Sequence, residues 1–278
     1  MDTLISTEEL KNLLETGNVM VFDCRFSLMD KQAGRKAYGQ GHIPGALFAD
    51  MEADLSAVHI PGVTGRHPLP QRQDFVARVC SWGLTPQTQV VAYDDAGGAG
   101  AARLWWMLQW IGHAKVAVLD GGWQAWNAEG FPVSTEPATA ANPSSDQYSD
   151  LDPLVGLLEV GQVNPGRQTL LDARELPRFR GEVEPIDPVA GHIPGAYCSP
   201  FSANLNSEGR FKSRGELREK FSFAEYSFLP VVCYCGSGVT ACHNILAMKH
   251  AGLAVPALYG GSWSEWITDP ARKVATGD

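Results

Sequence analysis

The sequence predicts an α/β protein of two tandem domains, each a mainly parallel sheet with helices on both faces. Two observations carry that expectation. Short runs of Val, Ile, Leu and Tyr alternate with longer helix-patterned segments, of which 101–111 (AARLWWMLQWI) and 241–251 (ACHNILAMKHA) are the clearest. Strand, tight loop and helix in repetition imply a parallel sheet covered on both faces. The chain also repeats itself. VFDCR (21–25), GHIPGA (41–46), VVAYD (90–94) and LDGGW (119–123) return in the same order as LLDAR (170–174), GHIPGA (191–196), VVCYC (231–235) and LYGGSW (258–263). The copies lie 139 to 150 residues apart. Solenoid periods run to about 20–50 residues, so this spacing marks a duplicated domain.

Taken in order, the opening MDTLISTEEL places Thr7 as the cap of a first helix. Residues 1–135 then form the first domain. The stretch EPATAANPSSD (136–146) has the composition of an exposed segment and sets a linker at 136–150, followed by the second domain at 151–278. In that domain the run VVCY (231–234) ends as a strand near Cys235, and a helix begins at Val239 or Thr240. Ligand crevices of such sheets lie outside the carboxyl ends of the strands, which is where Cys235 falls. Trp105, Trp106, Trp110, Trp123, Trp126, Trp263 and Trp266 read as core or interface aromatics.

Composition narrows the function classes. With 44% hydrophobic and 19% charged residues the chain has the make-up of a soluble globular protein, and no window is apolar for long enough to span a bilayer. The first residues lack a basic n-region and a long apolar core, so a cytoplasmic protein is expected. In that compartment six cysteines do not imply a disulfide framework; most read as small buried hydrophobes. A net charge of -9 with no basic run argues against nucleic acid as a partner. A metal site on Cys233 and Cys235 lacks a second ligand pair, so none is expected.

The chemistry concentrates in YCGSGVTAC (234–242). Gly236, Ser237 and Gly238 leave little bulk over their backbone N–H groups, which can converge into an anion nest at a helix N-terminus. Such a nest favours a thiolate and receives an anion. Cys235 is the candidate nucleophile, with Gly236 through Thr240 (Gly236, Ser237, Gly238, Val239, Thr240) as the binding loop and the hydroxyls of Ser237 and Thr240 as donors. Cys233 and Cys242 fall within the strand and on the helix and read as buried.

The loop CGSGVTA, the two GHIPGA copies and the GGSW segment resemble the two-domain rhodanese-like sulfurtransferases over almost the whole chain, and the loop is similar to that of the 3-mercaptopyruvate branch. The resemblance implies two rhodanese-like domains, an inactive N-terminal copy and a C-terminal copy carrying the cysteine. Asp94 stands where Cys235 stands in the second copy and cannot do a thiol's chemistry. It further implies that Cys235 takes sulfur from 3-mercaptopyruvate, releases pyruvate, holds a persulfide and passes sulfur to a thiol such as reduced thioredoxin or to cyanide, without metal or organic cofactor. Arg178 matches the family's substrate arginine; Arg180 is a second candidate. Ser237 matches the serine of a serine, histidine and aspartate relay and His42 the relay histidine; Asp30, shortly upstream of His42 in an expected loop, is the candidate acid. His192 holds the same motif place as His42, so a turn-fixing role is the alternative for that histidine. One departure concerns the donor: where the mercaptopyruvate branch carries a second arginine, this chain reads VEPIDP (183–188), with Asp187. That acid suits the thiosulfate branch, whereas the loop, free of basic residues after the cysteine, suits the mercaptopyruvate branch.

Two other classes compete. A phosphatase or arsenate reductase loop closes with an arginine six residues after its cysteine, and here that residue is Ala241. A non-catalytic scaffold is favoured by a missing cysteine, which is true of the N-terminal copy alone.

Overall fold

The computed structural model describes residues 2–17 and 19–278. Its contacts divide the chain into two compact units. Unit 1 comprises Met1–Ala57, Pro70–Leu154 and Ser207–Phe211; unit 2 comprises Val58–Leu69, Val155–Asn206 and Lys212–Asp278.

Unit 1 contains β1 (Leu4–Ile5), α1 (Thr7–Thr16), β2 (Val19–Asp23), α2 (Ala33–Gln40), β3 (Leu47–Phe48), α3 (Arg72–Ser81), β4 (Gln89–Tyr93), α4 (Ala99–Trp110), β5 (Val116–Leu119) and α5 (Gly122–Ala128). Its five strands are all parallel, in the order β1-β5-β4-β2-β3. The cap of α1 falls one residue before the expected Thr7. Ser6 Oγ accepts from Glu9 N while the Glu9 carboxylate accepts from Ser6 N, closing a capping box. The Thr7 hydroxyl donates to Glu129 Oε2 at 2.6 Å instead. The expected helix at 101–111 is α4, buried from Ala99 through Gln109, which accounts for its lack of a polar face.

Unit 2 contains β6 (Leu157–Leu158), β7 (Thr169–Asp172), α6 (Leu176–Phe179), β8 (Tyr197–Cys198), α7 (Arg214–Lys220), α8 (Phe223–Tyr226), β9 (Val231–Tyr234), α9 (Thr240–His250), β10 (Ala257–Tyr259) and α10 (Ser262–Trp266). Again the strands are parallel, in the order β6-β10-β9-β7-β8. From β7 the chain steps to one side for β8 and to the other for β9, so the strand order reverses between β7 and β9. Ligands of open α/β sheets bind at such a reversal, outside the carboxyl ends.

The repeated motifs meet inside each unit. In unit 1 the Arg25 guanidinium donates to both Asp23 oxygens and to Gly41 O, and lies 4.6 Å from the Trp123 ring, while Tyr93 Oη donates to Asp23 and accepts from Ile43 N. In unit 2 Arg174 donates to Asp172 and to Gly191 O, lies 4.9 Å from the Trp263 ring, and Tyr234 Oη accepts from Ile193 N. Both ion pairs are buried, so each guanidinium is held by acceptors and by an aromatic face at once. The four repeated motifs of the duplication are therefore the parts of one polar network, built twice.

Residues 136–150, expected as an exposed linker, are partly packed on unit 1. Ser144 N donates to Cys80 O at 3.0 Å, and Tyr148 is fully buried with its hydroxyl 3.0 Å from His113 Nδ1.

Candidate active site

The site is built where β9 hands over to α9. The strand ends at Tyr234 and the helix begins at Thr240, leaving Cys235 to Val239 as a buried connecting loop. Gly238 has a φ of 79°, and its N–H points back onto Cys235 Sγ at 3.1 Å. A side chain there would run into the Gly260 carbonyl, so only glycine permits this close approach. A backbone donor aimed at the sulfur is placed to stabilise charge there during a reaction.

A second loop clamps the first. Cys235 N donates to Ser262 Oγ at 3.1 Å, Trp263 N to Cys235 O at 3.0 Å and Ser264 N to Gly236 O at 2.9 Å. Ser262 has a φ of 56°, the one non-glycine residue with positive φ among the described residues. The corresponding residue of unit 1, in the sequence GGW, is Gly122, with a φ of 53°. Unit 2 accepts a strained serine at a glycine position, and gains a hydroxyl that receives the cysteine N–H. Sequence reasoning passed over Ser262; the signal was the contrast between LDGGW and LYGGSW.

The third contributor is the segment Val58–Leu69 of unit 2. His67 is buried, and its Nδ1 is 2.8 Å from Ser237 Oγ. The ring beside the loop serine is thus His67, and the expectation that His42 fills that place is corrected. Both nitrogens of His42 lie within hydrogen-bonding distance of backbone carbonyls of unit 1, Tyr38 O at 2.9 Å and Glu136 O at 3.1 Å, and its ring stacks on Tyr38. His192 repeats this arrangement, with Nδ1 2.8 Å from Phe179 O and the ring stacked on Phe179. Both motif histidines pin a turn. Asp30 is likewise corrected as the acid of a relay. It is exposed, accepts from Gln32 N and pairs with Lys36 at 3.2 Å.

Arg178, at the end of α6, turns toward the loop. A methyl placed on Gly236 would lie 3.8 Å from both its terminal nitrogens. Its guanidinium is held by Glu184, at 3.2 and 2.7 Å, and by Asp187 Oδ2 at 3.2 Å. Arg180 is not the second guanidinium of the site: it is exposed by a third and donates to the terminal Asp278 carboxylate at 2.6 and 2.9 Å. That second group is Arg66, whose Nη2 would be 2.7 Å from the same methyl and whose Nη1 is ion-paired with Asp187 Oδ1. Burial pushes the Asp187 carboxyl up from the ordinary range, against the pull of Arg66. Burial also raises Glu184, but the Arg178 bond and two backbone N–H groups outweigh it and hold that carboxyl low.

In unit 1 the equivalent loop carries Asp94. Its Oδ1 accepts from Ala96 N and Gly98 N, and its Oδ2 from Ala101 N, all at 2.8 Å. The carboxylate is fully buried in its own nest, and burial raises its pKa.

A parallel sheet with a nest-bound residue at the reversal of strand order, present twice with a thiol in one copy only, defines a tandem anion-cradle protein with a single cysteine site. The rhodanese-like domain family matches residues 6–129 and 156–269, and the chain belongs to that family. It is 50% identical over 281 residues to the "Probable 3-mercaptopyruvate sulfurtransferase" of Pseudomonas aeruginosa, covering 99% of this chain and 98% of the relative. It is 34% identical to the thiosulfate sulfurtransferase of Gallus gallus, covering 95% and 93%. Among solved structures, the 3-mercaptopyruvate sulfurtransferase from Leishmania major superposes with a TM-score of 0.84 at 34% identity, over 95% of this chain and 74% of that one.

Proposed function

We propose that the chain is a sulfurtransferase that takes sulfur from 3-mercaptopyruvate onto Cys235 and passes it to a thiol acceptor. The observation that carries this reading is the Gly238 N–H on Cys235 Sγ, in a loop over which the Arg178 guanidinium stands.

The donor's carboxylate is held by Arg178, bringing its thiol sulfur to Cys235. The thiolate attacks that sulfur, an S–S bond forms, and the S–C bond breaks with its electron pair going to the pyruvate enolate. The proton of the donor thiol passes to the enolate carbon, leaving pyruvate and a Cys235 persulfide anion. Charge is conserved: two anions enter and two leave. Ser237 and His67, 2.8 Å apart, form the pair that relays this proton. The loop N–H groups then hold the terminal sulfur, as Gly238 N holds Sγ before it. A second thiolate removes that sulfur, and a dithiol protein such as reduced thioredoxin can finish by closing its own disulfide and releasing the sulfur as hydrosulfide. None of the six cysteines is bridged, which suits the reducing cytoplasm.

The test is intact mass after brief incubation with 3-mercaptopyruvate, with pyruvate measured in parallel. One sulfur atom added per chain, lost in Cys235→Ser, is the expected result. Loading from thiosulfate alone would make the donor the inorganic one, and loading from neither would leave a scaffold.

A further inference from the structure

We propose that the cavity at the outer edge of the second sheet, between β8 and the turn from α7 to α8, binds a small carboxylate with an aromatic body, with Lys220 as its counter-ion. None of the residues that line it belongs to the cysteine loop or to the segments that clamp that loop.

β8 is the last strand of its sheet, beside β7. Leu171 and Tyr197 are register partners on those two strands, so their side chains share a face, and Thr169, two residues before Leu171, shares it too. Lys220 at the end of α7 and Phe223 at the start of α8 line the same cavity of about 560 Å³. Leu171, Tyr197, Pro200 and Phe223 give it apolar walls, and a space of that size with few polar groups suits a small organic molecule. Tyr197 and Phe223 are both exposed, which leaves aromatic surface uncovered for a ring to pack on. The Cys198 thiol in the wall stays protonated, since burial and then Asp172 push its pKa up to about 11, so it supplies no competing anion.

Lys220 supplies the charge. Its Nζ donates to Asn204 Oδ1 at 2.5 Å and to Pro200 O at 3.3 Å, which leaves one of its three N–H groups over. Asn204 is itself fixed by α9, through Asn244 Oδ1 at 2.7 Å and His243 Nδ1 at 3.0 Å, so the ammonium is held in place before any ligand arrives. Among the described residues no carboxylate lies within ion-pair distance of Lys220, or of Lys212, whose Nζ donates to Ala203 O at 3.0 Å. Glu175 acts on Lys220 only from further off, and accepts from the Ser202 hydroxyl at 2.7 Å. Burial and then the Lys212 charge push the Lys220 pKa down to about 8 from an ordinary 10.5, and Cys233, Cys198 and Glu175 offset this only in part. A half-buried ammonium beside a second cation and without an acid partner is where an arriving anion gains most. One free N–H serves one carboxylate oxygen, whereas a phosphate would bring more charged oxygens than the cavity has donors.

The probe is 3-phenylpropionate, compared with its neutral amide, on the full chain with isotopically methylated lysines followed by NMR. The Lys220 resonance is identified by its loss in Lys220→Arg. Saturating carboxylate should raise the Lys220 titration midpoint by about one pH unit, because a ligand that prefers the ammonium about ten-fold shifts the equilibrium by that factor. The amide should leave the midpoint unchanged and bind at least about ten-fold more weakly. Lys220→Gln should erase the difference between acid and amide, Lys220→Arg should keep part of it, and Phe223→Ala should weaken both probes alike. A carboxylate that binds without moving the Lys220 resonance is seated elsewhere, as on the Arg178 guanidinium, and would overturn the proposal. Equal affinity for acid and amide, or no binding of either at millimolar concentration, would do the same.

Discussion

Replacing Gly238 by alanine tests whether a backbone N–H on the sulfur drives the reaction. At a φ of 79° an alanine bears the left-handed penalty of about 1–2 kcal/mol. Its methyl also meets the Gly260 carbonyl, whose own carbon would be 3.1 Å away, so the loop must shift. The shift takes the N–H off Cys235 Sγ, now 3.1 Å away. A hydrogen bond to a charged group is worth about 1.5–3 kcal/mol, so single-turnover pyruvate release should slow by roughly 10- to 150-fold. Thermal unfolding should fall by several degrees as well. The assay is rapid-quench pyruvate release with enzyme in excess, beside a melting curve. A variant that melts earlier yet turns over within about two-fold of wild type would refute the reasoning, because the strain would be present without the electrostatic loss.

Other expectations follow from the same contacts. His67→Gln and Ser237→Ala should each slow pyruvate release by about 10²-fold or more as proton-relay losses, while loading from thiosulfate, which makes no enolate, changes far less; equal loss with both donors would contradict the relay. Ser262→Gly should be more stable than Ser262→Ala by about 1 kcal/mol in chemical denaturation, since both lose the hydroxyl but only glycine accepts the left-handed backbone without penalty. Asp94→Ala leaves three N–H groups unpaired, those of Gly98 and Ala101 buried, and should cost at least about 2 kcal/mol of stability, with Cys235 loading kinetics little altered. His113, buried so that its pKa is pushed down to about 4 against an ordinary 6.5, stays neutral when folded. Its contribution is therefore complete above pH 6.5 and is lost as pH falls from there toward 4, on the order of 3 kcal/mol in all. His113→Gln should flatten the pH dependence of denaturation midpoints across that window, and an unchanged slope would count against it.

The duplication was legible because its motifs carry one network in both copies: Asp and Arg at a strand end, the backbone of the GHIPGA turn, a tyrosine and a tryptophan. Cys235 and its loop were legible for a local reason, since strand end, glycines and helix start are consecutive. Arg178 was found through family resemblance. His67 and Arg66 were not found, because they belong to no repeated motif and reach partners 170 and 121 residues further along the chain. His42 attracted the relay role because it sits in a prominent motif, yet the duplicate His192 held the answer. Two copies with the same histidine, only one of which has a cysteine at the loop position, point to a shared structural task. Ser262 could have been noticed by asking what differs between copies instead of what agrees.

That same difference gives the Asp94 carboxylate a meaning beyond the loss of a thiol. A loop that closes around its own side-chain anion is permanently occupied, at a fixed effective concentration no solute can match. The N-terminal copy should therefore melt at a temperature indifferent to added sulfate or sulfite, whereas the C-terminal copy, whose cradle changes tenant with every turnover, should gain stability from such anions and from its own persulfide. Duplication has in this way produced a self-liganded half and a half that must be liganded from outside.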